Sequence, residues 1–158
     1  MTNLNWLRRL FESVFWADER VIEYALAGEN DSARRYLHHL LAAERVWLLR
    51  LRGESSAGLA IWPTLSDAET RALAAQNRDG YRRYLDALSE RDLDEQIEYG
   101  NQSGRRFRTA TADILTHVAM HGSYHRGQIA RAVREGGGEP INTDFITYVR
   151  HLDDPGPV

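Results

Sequence analysis

Four long stretches of this chain carry apolar residues at helical spacing, and a chain with four such faces has few ways to bury them. The first runs from about Asn3 to Ala27, with Leu7, Leu10, Phe11, Val14, Phe15, Val21 and Ile22 along one broad stripe. Gly28 ends it, and Asn30-Asp31-Ser32 offers caps to a second, about Asp31 to Arg52, which carries Leu37, Leu40, Leu41, Trp47, Leu48 and Leu51. A loop at 54–65 contains Gly58 and Pro63. Ser66-Asp67-Ala68-Glu69 then reads as a capping box for a third helix to about Leu88, with Gly80 inside it. A fourth starts near Thr111, capped by Thr109 or Thr111, carries Ile114, Val118, Ile129 and Val133, and stops at Glu135 before Gly136-Gly137-Gly138 and Pro140.

Residues 95–109 break this rhythm. Ile97 and Tyr99 precede Gly100-Asn101-Gln102-Ser103-Gly104, and Phe107 and Thr109 follow, which is the pattern of a small hairpin. A short last helix is expected from about Thr143 to His151. The reading is therefore an all-α four-helix bundle with a hairpin before helix four and a short C-terminal helix, one domain over residues 1–158. The long connections before helices three and four call for at least one overhand crossover.

Composition removes several kinds of chemistry. The net charge of −3 gives no basic field for nucleic acid. No run approaches the ~18 apolar residues of a membrane span, and the N-terminus lacks the order of a signal peptide, so a cytoplasmic location is expected. With no cysteine, there is no thiolate ligand or nucleophile, and any thiol in a reaction must come from a substrate. All 20 basic residues are arginine, which excludes a lysine Schiff base.

The segment Asp113 to Glu135 holds the chemistry. His121 and His125 stand at i and i+4, one turn apart on one helix face, where two imidazoles can reach one metal ion. His117 lies one turn earlier. A ligand from another helix is needed, and His38 and His39 in helix two are the internal candidates. Trp47 shares a face with His39, which favours His39 and leaves His38 toward solvent or a subunit contact. His117 is then a supporting or packing residue. Three neutral imidazoles suit zinc, nickel, copper or ferrous iron and leave a coordination position open.

Four segments together resemble the DinB-like (DinB/YfiT-like) superfamily. They are His39 to Trp47, the E-Y-G-N-Q-S-G-R-R-F-R hairpin, the H-V-A-M-H-G-S-Y-H-R-G-Q block from His117 to Gln128, and the closing G-G-E-P-I-N-T-D-F-I-T-Y-V-R. The resemblance implies an up-down-down-up bundle that forms a homodimer, with His39, His121 and His125 as ligands to zinc or nickel. It also implies a small-molecule substrate and thiol-dependent transfer, with a low-molecular-weight thiol as co-substrate; a noncatalytic metal-binding stress-response module and a metal-dependent hydrolase are the alternatives. No particular catalytic side chain follows from it. Around the site, Tyr124 is expected to pack, Gln128 to bond locally, and Arg126 to pair with Asp144 or Glu44. Trp6, Trp16, Trp47 and Trp62 are expected in the core or a dimer interface.

Overall fold

A computed structural model describes residues 1–101 and 103–153. Its helices are α1 (Asn3–Ala27), α2 (Asp31–Leu51), α3 (Asp67–Ala87), α4 (Thr111–Glu135) and α5 (Phe145–Asp153); strands β1 (Gln96–Gly100) and β2 (Arg106–Ala110) form an antiparallel hairpin. A 3₁₀ turn at Glu90–Asp94, which the periodicity does not announce, links α3 to β1.

Local chemistry accounts for most boundaries. The Ser66 hydroxyl accepts from the Glu69 amide at 3.2 Å while the Glu69 carboxylate accepts from the Ser66 amide at 2.8 Å, closing the capping box of α3. Asn30 Oδ1 caps α2 by accepting from Ala33 N at 2.9 Å, and its Nδ2 donates to Ala132 O on α4. The start of α4 differs from expectation. Ala110 occupies the cap position, and Thr111 instead donates its amide and its hydroxyl to the Glu95 carbonyl, at 2.9 and 3.2 Å. A long-range bond to Glu95, just before β1, therefore does what a local cap would have done.

Interhelical contacts fix the directions. Glu12, Glu19 and Glu23 of α1 pair with Arg82, Arg78 and Arg71 of α3, so these helices are antiparallel. Asn77 and Tyr81 donate to the carbonyls of Leu41 and Glu44, so α3 runs parallel to α2. The bond from Asn30 to Ala132 and the packing of Trp47 on His117 set α4 antiparallel to α2. The order is up-down-down-up, and residues 52–66 form the overhand connection that makes it possible. Gly80 matters here: a Cβ at that position would lie 2.4 Å from Leu48 Cδ2, so the glycine permits close approach of α2 and α3.

The core has two apolar clusters. One gathers Leu7, Phe11, Val14, Leu48, Tyr81, Leu115 and Val118; the other gathers Ile22, Leu37, Leu40, Leu41, Ile129 and Val133. On each helix the positions between them hold buried polar groups. Arg126 donates to Asp18 at 2.7 Å, both side chains being 7% exposed. This corrects the expected pairing with Asp144 or Glu44. Gly122, one turn before Arg126, makes room, since a Cβ there would sit 3.0 Å from Arg126 Nη1. Glu44 lies in the same layer, receives Asn77 Nδ2 at 3.2 Å, and has its carboxyl pushed well above the usual range by burial, with the Asp18 charge adding to the effect. Burial raises Asp18 as well, and Arg126 opposes that rise.

Candidate metal centre

The overhand connection and α4 close on α2 from two sides, and three histidines meet there. One ring nitrogen from each of His39, His121 and His125 lies within 4.8 Å of the others. Ring centroids are 4.3 Å apart for His121 and His125, 4.5 Å for His39 and His125, and 5.5 Å for His39 and His121. His39 and His125 are buried, whereas His121 is half-buried at the opening.

Two of the rings are held from behind. His39 Nδ1 lies 2.5 Å from the Ile61 carbonyl, and His125 Nδ1 lies 2.6 Å from Gln128 Oε1. With a proton on each Nδ1, both contacts are short N–H···O hydrogen bonds, and Nε2 keeps its lone pair for the space between the rings. The Nε2 atoms of His121 and His125 are 3.0 Å apart. Two ligands at ~2.05 Å in tetrahedral geometry stand roughly 3.3 Å apart, so this spacing suits a shared ion.

The electrostatics favour the ligating form. Burial lowers the His121 pKa to about 4, with the neighbouring charges of His125, His117 and His39 contributing. Burial lowers His125 too, while its bond to Gln128 opposes the shift. Both imidazoles are therefore neutral near pH 7, as metal binding requires. Among the described residues no carboxylate joins the cluster.

The neighbours depart from expectation in three ways. His38 does not face solvent or a subunit contact; it is buried beneath the overhand connection, where Leu65 N donates to its Nδ1 at 3.4 Å. Tyr124 packs only at the surface: its ring meets His125 edge to face at 5.2 Å, yet it is 65% exposed, and its hydroxyl accepts from Gln128 Nε2 at 3.4 Å. Trp62 belongs to the site, lying flat on His39 with centroids 3.8 Å apart. Of the other tryptophans, Trp16 is half-buried against Tyr148 of α5, Trp6 is exposed beside Phe145, and Trp47 is half-buried with its ring 4.9 Å from His117. His117 itself stays outside the group whose ring nitrogens converge and packs on Trp47 instead. Gln128 bonds locally as expected, and its i+3 spacing from His125 is the signal for its partner. Ile61 contributes only a backbone oxygen, so no residue type could have revealed it.

Fold and site together define a helical bundle with a tri-histidine cluster able to hold a metal ion. The sequence pattern of the DinB family matches residues 8–153, and the chain belongs to that family. It is similar to Protein DinB of Bacillus subtilis (strain 168), at 23% identity over 89% of this chain and 92% of that protein. The crystal structure of a DinB-like protein from Bacillus cereus ATCC 10987 shares the fold, with a TM-score of 0.57, 17% identity and coverage of 89% of this chain and 94% of that one. No helix among the described residues is long and apolar enough to cross a membrane.

Proposed function

We propose that His39, His121 and His125 bind a divalent metal, zinc or nickel, and that the protein is an enzyme of thiol-transferase type acting on a small molecule. The observation that carries this reading is the convergence of three imidazoles, two of them fixed through Nδ1 by Ile61 and Gln128. Three protein ligands leave a coordination position for a substrate atom. His121 borders solvent, which gives such an atom a way in.

A divalent ion bound there would supply acidification of a coordinated thiol or water. The chain itself offers no cysteine, so the thiol would arrive as a low-molecular-weight co-substrate. Trp62 walls the site beside His39, and Gln128 holds His125 in the tautomer that presents Nε2. The homodimer implied by the family resemblance is part of this proposal, and sedimentation equilibrium tests it.

Elemental analysis of protein purified without a metal-affinity tag is the first test. His39→Ala and His121→Ala should each lower the bound metal; if neither does, the histidines are not its ligands. The second test offers glutathione, bacillithiol or mycothiol with a chlorodinitrobenzene-type electrophile. Turnover with one thiol supports the transferase, and none with any of the three overturns it in favour of a hydrolase or a noncatalytic module.

A further inference from the structure

Away from the histidines, the loop after α2 and the turn of the β1–β2 hairpin enclose a cleft of about 500 Å3 with Arg50 in its wall. Arg50 is only 9% exposed, yet its side chain makes no hydrogen bond or ion pair with any other described residue. Its guanidinium rests instead on two rings, 4.5 Å from the Trp47 centroid and 5.0 Å from that of Tyr99. Those rings meet nearly edge to face, 5.1 Å apart, and form a corner that holds the guanidinium plane. Ring faces attract a cation but bring no net negative charge. A buried charge without a counter-ion is costly, and burial holds the Arg50 pKa below its ordinary value.

The other charged side chains that line the cleft each have an oppositely charged neighbour. Glu98 bridges Arg106 and Arg108 at 3.4 and 3.5 Å, and Glu54 lies 3.8 Å from Arg52. Among these lining charges Arg50 alone has no partner of opposite sign, and its planar fork of N–H donors is held by the two rings. Such a fork matches a carboxylate, which accepts two parallel N–H bonds. Glu54 and Glu98 also line the cleft and repel a phosphate, which carries about −1.5 to −2 near pH 7, more than they repel a monoanion.

We propose that this cleft is a binding site for the carboxylate of a small molecule, with Arg50 donating to both of its oxygens. The site is separate from the histidine cluster and does not rest on the metal reading.

The test follows the Arg50 Nε–H resonance of isotope-labelled protein, assigned by its disappearance in Arg50→Lys. Sodium acetate should shift this resonance saturably in the millimolar range. Chloride at matched ionic strength should leave it in place, and phosphate should bind more weakly than acetate. Acetate should also raise the wild-type Tm above its value in chloride, a gain that Arg50→Gln abolishes. If Arg50→Gln fails to fold, the titration of the wild type decides alone. A resonance that ignores acetate, or follows chloride equally, overturns the site and leaves Arg50 a structural partner of Trp47 and Tyr99. Tighter binding of phosphate overturns the monocarboxylate assignment. Acetate on a metal at the histidines does not mimic the result, because the readout is Arg50 itself.

Discussion

Trp62 lies parallel to His39, its ring plane 9° away and its centroid 3.8 Å distant. The two residues come from the overhand connection and from α2, so the stack ties a long loop to the mouth of the candidate metal centre. Because Trp62 is 43% exposed, its removal should cost little in global stability. Trp62→Ala should instead free the His39 ring and speed metal loss to a chelator several-fold, with Tm nearly unchanged. Equal rates for the two proteins would show that the stack does not hold the ligand.

Gln128 gives a sharper case. Its Oε1 is the partner of His125 Nδ1, and groups that orient a metal-bound imidazole this way are typically worth ~10–100-fold in affinity. Gln128→Ala should weaken zinc binding by that order in a competition with a chromogenic chelator. An unchanged affinity would leave the bond without a role in ligation.

The lowered histidine pKa values set a pH dependence. His121 is held near 4 in the fold, whereas the unfolded chain titrates near 6.5, so between these values the unfolded state binds more protons. Stability of the metal-free protein should therefore fall as pH drops from about 6.5 toward 4. Denaturant titrations across that window should show the slope, and His121→Asn should reduce it.

The buried polar layer should respond in opposite ways to two substitutions. Arg126→Met leaves Asp18 without its partner and should cost ~3–5 kcal/mol. Glu44→Gln should be mild, because burial already favours the protonated Glu44. The contribution of Glu44 is fully present below the unfolded value of 4.5 and is lost as pH rises through the folded one, so Glu44→Gln should flatten the decline of stability as pH rises above 4.5. Urea unfolding of both variants at several pH values checks this.

Gly80→Ala tests the close approach of α2 and α3. The added methyl would meet Leu48 Cδ2, and overpacking of this kind costs ~1–3 kcal/mol. A Tm equal to or above that of the wild type would mean that Leu48 has room to turn aside.

Much of this molecule was legible in its sequence. Periodicity and stop signals place α1 and α4 at their observed bounds, and with the caps at Asn30 and Ser66 they place α2 and α3 within about one residue, because these signals lie within one or two turns of chain. The hairpin is legible from alternation around a Gly/Asn cluster, and His121 and His125 from i,i+4 spacing. The family motifs and the weaker Trp47 argument both point to His39, which the fold brings to that pair.

Other features depend on how helices rotate and slide against one another, which no local pattern encodes. Arg126 could reach a carboxylate on several elements; only the packing of α4 on α1 selects Asp18 over Asp144. His38 and His39 are both buried because the overhand connection covers the helix-two face that sequence leaves to solvent. Sequence by itself determined the helices and the histidine pair. The tertiary structure decided their partners — Ile61, Trp62, Asp18 and the aromatic corner around Arg50 — because each is reached across helices or loops distant in the chain.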